Sequence, residues 1–426
     1  MRNLKTIVLF IFVALVIRGY SQTLPLGSLV IVGGGLEPDN KSVFNQLIEL
    51  AGGPDKAVFS VIPSASGVAM QTYVYFSKEL ISYGVKPENI HLIPIAMADD
   101  DSTADVDESS WRNNGNDPKL ADIVRKSSCV WFSGGDQLRT MKTLLKPDGS
   151  KTAVLEAVWE VFNRGGVVGG TSAGAAIMSE PMIGAGNSMG ALKYGVKTSF
   201  EGEDFPEGEG VLLTHGLGFF PLGIVDQHFN ARARLARLIV AMLHDAKKTQ
   251  TGFGVDENTA LIYIGKLKML KVAGAAGVTI VNTTEASVSY INKFPEVENV
   301  LLSYLGDGDT YDIATGKINP AAGKKSTKGN EYYNISNPAQ AGMLSGSASD
   351  FLNLVTKNLI DNKGAEKVNN INFTDAGNGF QVTLSKTPES AGFYTDKPDG
   401  DDHYTVINIR MDIKPVKIEI TPLKQN

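Results

Sequence analysis

The first part of the chain alternates short apolar runs with amphipathic stretches. Residues 28–32 (SLVIV) and 57–62 (AVFSVI) are apolar runs that end in turns rich in glycine or serine. Between them, residues 42–53 (SVFNQLIELAGG) carry apolar side chains at helical spacing and end at two glycines. Apolar strands that alternate with amphipathic helices are typical of a parallel sheet covered on both faces. The pattern predicts an α/β fold with a doubly wound, mostly parallel sheet.

The same alternation continues to the middle of the chain. Residues 119–128 are helical in pattern, residues 129–135 form an apolar strand with a turn, and residues 151–164 are helical again. Residues 165–178 (GGVVGGTSAGAAIM) predict a strand, a sharp turn and the start of a helix. The polar, acidic stretch at 99–118 interrupts this order, and we expect a solvated loop or insertion there.

The pattern changes after about residue 265, where short runs rich in valine, threonine, isoleucine and tyrosine predict strands. Residues 320–334 are polar and are interpreted as a linker, and a helical pattern follows at 349–362. The tail from 365 to 424 is largely β in pattern. We therefore expect a C-terminal extension, partly β, over residues 319–426, after a catalytic domain over residues 22–318.

The N-terminus has the pattern of an export signal. Arg2 and Lys5 precede an apolar stretch at 7–17, and small residues follow it before Gln22. A transmembrane anchor is the alternative, but such a stretch spans only about 16 Å as a helix, against a hydrocarbon core of about 30 Å. We expect residues 1–21 to be a cleaved signal peptide. The mature protein would then be periplasmic or secreted, with no membrane contact.

Composition excludes several other classes of protein. The formal net charge of −6 and the pI near 5.5 do not fit a general nucleic-acid binder. Cys129 is the only cysteine, so no intramolecular disulfide can form, and its apolar surroundings predict a buried thiol. The five histidines show no spacing typical of metal ligands. We expect no metal site.

Residues 170–174 (GTSAG) fit the pattern of a nucleophile elbow, with a strand before them and a helix after them. Small flanking residues let the backbone turn sharply and hold the Ser172 hydroxyl above the carboxyl ends of the strands. The amide of Ala173 could then donate to an oxyanion. The alternative is an incidental serine in a glycine-rich turn. A nucleophilic serine requires a base to take its proton.

His228 is the candidate base. It follows an apolar run within the polar triplet Asp226-Gln227-His228, at the end of a predicted strand. Glu257 also follows a short apolar strand and could orient the histidine, although it could equally cap a turn. Asp256 is adjacent to Glu257, but neighbours at a strand end point to opposite sides, so only one of them can face the site.

Two further groups of residues could contact substrate. Arg232, Arg234 and Arg237 follow His228 and could bind carboxylates, pair with Asp226 to brace the site, or form a solvated helix face. The turn at 134–137 (GGDQ) ends another strand. There the amide of Gly135 could supply a second oxyanion donor, and Gln137 could make a polar contact with substrate.

Taken together, these motifs resemble those of the cyanophycinases and related aspartyl dipeptidases of serine peptidase family S51. The resemblance covers about residues 28 to 310. The matching stretches, in the family's order, are IVGGG, IPSAS, FSGGDQLR, GTSAGAAIM, DQHFNARARLARL and GFGVDENTAL.

The resemblance implies a doubly wound α/β sheet related to class I glutamine amidotransferases. It also implies a Ser-His-Glu triad, which falls on Ser172, His228 and Glu257, and it makes Glu257 the preferred acid. The residues that it implicates in binding a β-linked Asp–Arg unit are Gln137, Asp226, Gln227, Arg232, Arg234 and Arg237. No metal or organic cofactor is implied. A homodimer is suggested, because members of the family often form dimers.

One departure from the family concerns substrate choice. Cyanophycinases often carry acidic residues shortly after the nucleophile, whereas this chain has Asn-Ser-Met-Gly at 187–190. Glu201 and Glu203 could substitute if the loop differs. We expect an exported exopeptidase that releases β-Asp-Arg from cyanophycin. The alternatives are a peptidase acting on other aspartyl or isoaspartyl peptides, and a non-catalytic binding protein of the same fold.

Overall fold

The computed structural model describes residues 24–202, 204–244, 250–336, 340–345, 351–374, 377–396 and 402–419. The predicted signal peptide, residues 1–21, lies outside them. The helices are α1 Lys41–Leu50, α2 Ala69–Ser82, α3 Pro118–Lys126, α4 Gln137–Leu144, α5 Ala153–Asn163, α6 Ala173–Ala176, α7 Ser188–Tyr194, α8 Leu235–His244 and α9 Phe351–Val355. Within the described part of the chain, no helix is both long and apolar enough to cross a membrane.

Up to about residue 310, where the family resemblance ends, the strands are β1 Ser28–Val32, β2 Phe59–Ile62, β3 Ile90–Leu92, β4 Cys129–Phe132, β5 Val167–Thr171, β6 Met182–Gly186, β7 Val196–Lys197, β8 Val211–Thr214, β9 Ile224–Asp226, β10 Thr251–Val255, β11 Thr259–Ile264, β12 Met269–Gly274, β13 Gly277–Asn282, β14 Ser287–Ile291 and β15 Phe294–Gly306. The later strands are β16 Thr310–Asp312, β17 Ile318–Asn319, β18 Lys325–Ser326, β19 Gln340–Ala341, β20 Lys367–Phe373, β21 Asn378–Ser385, β22 Ala391–Asp396 and β23 Asp402–Lys417.

The first sheet has the strand order β17-β16-β12-β11-β1-β5-β4-β2-β3. Its strands from β1 to β3 in this order run parallel, and the strands on the other side of β1 are antiparallel. Apolar side chains fill both faces of the sheet. One face packs against α1 and α2, and the other against α3 and α5. This confirms the predicted α/β class with a central parallel sheet.

A second, mainly antiparallel sheet has the main order β19-β20-β21-β23-β15-β13-β10-β9. The predicted β-rich C-terminal region is confirmed, but it is not a separate sheet. The last strand, β23, pairs along β15, and β15 pairs with β13. The boundary predicted between residues 318 and 319 therefore does not coincide with a break between sheets.

Two polar stretches are more ordered than their composition indicates. The acidic stretch at 99–118 contains a 3-10 helix over Glu108–Asn116, and the Glu108 side chain is fully buried. The predicted linker at 320–334 contains Lys324, which forms a buried ion pair with Asp309 at 2.9 Å. The stretch at 320–334 is therefore not a free linker, because the ion pair of Lys324 ties it to the fold. The stretch at 99–118 is exposed over most of its length, as expected for a solvated loop or insertion.

Candidate active site

Ser172 lies in the turn between β5 and α6. Its backbone has φ of 53° and ψ of −109°, a conformation that is strained for a residue with a side chain. The Ser172 amide donates to the carbonyl of Val32 on β1 at 3.0 Å. A Cβ atom on Gly170 would lie 2.6 Å from the carbonyl oxygen of Gly174, so the tight turn requires glycine. The structure thus forms the elbow that the GTSAG pattern predicts.

His228 comes from the second sheet, two residues after the end of β9. Its φ is 45°, and its amide donates to the carbonyl of Gly33 at 2.7 Å. The loop after β1 supports the ring closely, since a Cβ atom on Gly34 would lie 2.2 Å from His228 Cε1. Gly34 also has φ of 110°, a conformation available mainly to glycine. The sequence analysis recognised these glycines as a turn but missed their role in supporting the histidine.

A continuous chain of hydrogen bonds connects the three predicted triad residues. Ser172 Oγ lies 2.7 Å from His228 Nε2, and His228 Nδ1 lies 2.5 Å from Glu257 Oε1. A carboxylate can only accept, so Nδ1 carries the proton and Nε2 is left to accept from the serine hydroxyl. The Ser172 side chain is therefore positioned to lose its proton to a neutral imidazole.

The neighbouring carboxylate points away from this chain of hydrogen bonds. Asp256 is buried and accepts from the amide and the side chain of Asn230, at 3.0 and 3.1 Å. Burial raises the pKa of Asp256 to about 6. The expectation that only one of the two acidic neighbours faces the site is met, and Glu257 is the one that contacts His228.

Burial lowers the pKa of His228 below its ordinary value, and the hydrogen bond that His228 donates to Glu257 opposes that effect. The positive charges of Arg232 and Arg234 lower it further. The His228 side chain is 10% exposed, whereas that of Glu257 is 44% exposed. The imidazole is therefore neutral at neutral pH, as a base must be.

The turn after β4 lies against the nucleophile. Gly135 has φ of 134°, and a Cβ atom there would lie 2.0 Å from the carbonyl oxygen of Ala65. A Cβ atom on the adjacent Gly134 would lie 3.4 Å from Ser172 Cβ, so this turn borders the hydroxyl. Gln137 donates its side-chain amide to the carbonyl of Gly184 on β6. That bond holds α4 against β6, and a contact of Gln137 with substrate stays a prediction.

Asp226 and Arg237 form a buried ion pair. Arg237 donates from Nε and Nη2 to the two oxygens of Asp226, at 2.8 and 2.5 Å. The side chains are 1% and 3% exposed, and the charge of Arg237 helps to keep the pKa of Asp226 below its ordinary value against the effect of burial. Their charged groups contact each other, and a direct contact of either residue with substrate stays a prediction. They form the bracing pair that was the alternative.

Gln227 and Arg234 also contact each other. Gln227 is buried, and its side-chain oxygen accepts from Arg234 Nη1 at 2.8 Å. Burial lowers the pKa of Arg234 to about 9. The Gln227 side chain is buried and its oxygen is occupied, and a contact of Gln227 with substrate stays a prediction. Arg234, which is 11% exposed, is held beneath the site.

Arg232 alone of the three arginines is exposed. It lines a cleft of about 630 Å³, which Glu257 also lines. The other residues that line the cleft are Asn187, Met189, Glu207, Ala231, Leu344 and Ser345. Asn187 stands in the window where an acidic residue is usual in cyanophycinases, and Glu207 supplies a carboxylate to the same cleft. The sequence analysis missed Glu207, because nothing in its local pattern marks it.

Within the described residues, no group of three or more histidine, cysteine, aspartate or glutamate side chains is arranged to hold a metal ion. The predicted burial of Cys129 is confirmed, and burial raises the pKa of its thiol. The buried thiol is therefore poorly suited to act as a nucleophile.

Known proteins are similar to this chain over more than half of its length. Residues 29–271, more than half of the chain, match the model of peptidase family S51. A cyanophycinase of Synechococcus elongatus is 32% identical over 68% of this chain and 80% of its own. A cyanophycinase of Geminocystis herdmanii is 32% identical over 70% of this chain and 97% of its own.

A solved structure of a peptidase from an acI-B1 actinobacterium aligns with 69% of this chain and 99% of its own, at 22% identity and a TM-score of 0.45. The family model and the curated relatives confirm the resemblance on which the sequence analysis relied. The chain belongs to peptidase family S51, a family of serine hydrolases.

Proposed function

We propose that Ser172 attacks the carbonyl of a peptide linked through an aspartate side chain. His228 takes the Ser172 proton and later gives it to the leaving amine, while Glu257 orients the imidazole and stabilises its charged form. Water then hydrolyses the acyl-enzyme with His228 as base. The observation that carries this proposal is the continuous chain of hydrogen bonds from Ser172 Oγ to Glu257 Oε1.

The amides of Gly135 and Ala173 are proposed to stabilise the oxyanion. Ala173 follows the nucleophile directly, and the Gly134–Gly135 turn lies against the Ser172 side chain. Gly135 is an exposed residue of this turn. Donors on both sides of the attacked carbonyl stabilise the charge that develops in the transition state.

The proposed substrate is cyanophycin, from which the enzyme would release β-Asp-Arg dipeptides as an exopeptidase. Support comes from the relatives named cyanophycinase and from the charges in the cleft. Arg232 can pair with a carboxylate and Glu207 with a guanidinium group, which suits a unit that carries both charges. The missing acidic residue at Asn187 favours a second candidate, a peptidase for other aspartyl or isoaspartyl peptides.

The enzyme is also proposed to act outside the cytoplasm, in the periplasm or as a secreted protein. The basic start and the short apolar stretch within residues 1–21 support this. Expressing the full chain in its natural host and determining the N-terminus of the mature protein tests the proposal. A mature chain that begins at Gln22 would support it, and an intact N-terminus in the cytoplasm would refute it.

The catalytic proposal is tested with Ser172→Ala on insoluble cyanophycin, with products identified by mass. We expect wild type to release β-Asp-Arg and the variant to lose kcat by about four orders of magnitude or more. Ser150→Ala removes an exposed serine elsewhere and serves as the matched control. Undiminished hydrolysis by Ser172→Ala would refute the mechanism.

The same proteins are compared on a panel of Asp-X and isoaspartyl dipeptides. A wild type that cleaves these dipeptides but not the polymer would select the second candidate. Labelling of wild type by a serine-directed phosphonate, with none in Ser172→Ala, would exclude a non-catalytic binding protein.

A further inference from the structure

The cleft beside Glu257 is lined partly by residues from the C-terminal region. Leu344 and Ser345 border it together with Glu207 and Arg232. These two residues lie beyond residue 271, where the match to the S51 family ends. A segment that the family model does not describe therefore lines a cleft together with Glu257, one residue of the proposed triad.

Two buried asparagines hold this segment in place. Met343 and Leu344 donate their amides to the side-chain oxygens of Asn370 and Asn372 on β20, at 3.1 and 2.8 Å. Asn370 is 1% exposed and Asn372 is fully buried. The Gly342 amide also donates to a carbonyl of β20, at 2.9 Å. Buried amide side chains that satisfy a neighbouring backbone restrict it to one conformation.

Apolar packing fixes the same segment to the catalytic part of the protein. Met343 and Leu344 are buried in one apolar cluster with Leu192 of α7 and Leu235 of α8. Helix α8 begins directly after Arg234 and contains Arg237. The exposed Ser345 directly follows Leu344, in a segment that is hydrogen-bonded to β20 and shares an apolar cluster with these two helices.

We propose that residues 342–345 form a wall of the cleft beside Glu257, and that this wall limits the size of the substrate group lying beside Arg232. This inference deepens the proposed function and rests on it. The wall adds Leu344 and the exposed Ser345 to a cleft that already holds the carboxylates of Glu207 and Glu257 and the guanidinium group of Arg232. A slender group with a charged end fits such a cleft, whereas a bulky group meets the wall.

The wall is tested by adding a bulky group at its exposed residue, Ser345. Ser345→Cys creates an accessible thiol, which is modified with a bulky maleimide, while Cys129 is buried and does not react. The matched control is Ser326→Cys with the same adduct, because Ser326 is exposed on β18 and is not among the residues that line the cleft. We expect kcat/KM for dipeptide release to fall about tenfold or more with the adduct at 345, and to stay within about twofold with the adduct at 326.

A second readout needs no peptide substrate. The rates at which Ser172 reacts with a small fluorophosphonate and with a bulky peptidyl phosphonate are compared in both adducts. The adduct at 345 should slow the bulky reagent about tenfold and leave the small one within about twofold. If each reagent reacts at the same rate with the two adducts, the proposal that residues 342–345 limit the size of the substrate group is refuted.

Failure of the proposed function is a different result. It would appear as wild type that reacts with the phosphonates but hydrolyses no aspartyl peptide. If either thiol variant fails to fold, Ser345→Trp and Ser326→Trp carry the same comparison.

Discussion

The two sides of the active site are built by different physical means. The serine side consists of the strand ends of the first sheet, where Gly34, Gly135 and Gly170 permit close backbone contacts. The histidine side consists of the ends of β9 and β10, where buried charges pair with one another, as in Asp226 and Arg237. Close steric contacts position the nucleophile and also support the His228 ring, whereas burial and neighbouring charges set the pKa of that ring.

Because of this difference, substitutions on the two sides should have different effects on the protein. A side chain added on the serine side displaces catalytic groups while most of the fold persists. A charge removed on the histidine side leaves its partner buried and unpaired, which destabilises the fold itself. The loop after β1 joins the sides, because Gly33 accepts from the His228 amide and Gly34 accepts from the Asn258 amide.

The largest expected effect is on stability and comes from the histidine side. Asp226→Ala should lower the free energy of unfolding by about 3–5 kcal/mol, because it leaves the Arg237 guanidinium buried without its partner. Urea unfolding monitored by circular dichroism measures the change. The double variant Asp226→Leu/Arg237→Met removes both charges and should recover most of the loss. A loss below about 1 kcal/mol in the single variant would show that the pair does not brace the site.

The next effect is on activity and comes from the serine side. Gly34→Ala should reduce kcat by about a hundredfold, because the new methyl group would lie 2.2 Å from the His228 ring and push it from Ser172. Gly53→Ala is the matched control. Gly53 also has a positive φ, but nothing lies within 4 Å of its added Cβ atom. If the two variants lose the same activity, backbone strain alone explains the loss, and the close support of His228 does not matter.

The smallest effect is on the pH dependence. Since the pKa of His228 is lowered, kcat/KM should stay high to below pH 6.5 and then fall about tenfold for each further unit, as the imidazole becomes protonated. Arg232→Gln removes a positive charge and should move the inflection to higher pH. Glu257→Gln removes the bond that favours the charged ring and should move it to lower pH.

Asp256 titrates in the same range, because burial raises its pKa to about 6. The profile is therefore also measured in Asp256→Asn, which removes that titration. An inflection that is unaffected by both Arg232→Gln and Glu257→Gln would assign the profile to a group other than His228.

The local sequence pattern was sufficient to predict structure where one continuous stretch of chain determines it. The strand-turn-helix around Ser172 follows from apolar residues before the turn and small residues within it, and the structure has this order. The interpretation of 320–334 as a linker failed because the structure of this stretch depends on residues far away in the chain. Lys324 is stabilised by Asp309, which also accepts from Thr405, so its burial depends on partners from two other parts of the chain.

The sequence alone determined the fold class and the family, because both depend on motifs that are short and continuous, and it proposed Ser172, His228 and Glu257 as the triad. The tertiary structure decided which charged residues face the cleft, since Arg237 and Arg232 look alike in the chain but differ in burial. It also brought Ser345 and Glu207 to Glu257. Burial and proximity depend on how distant segments pack, and no local pattern encodes that packing.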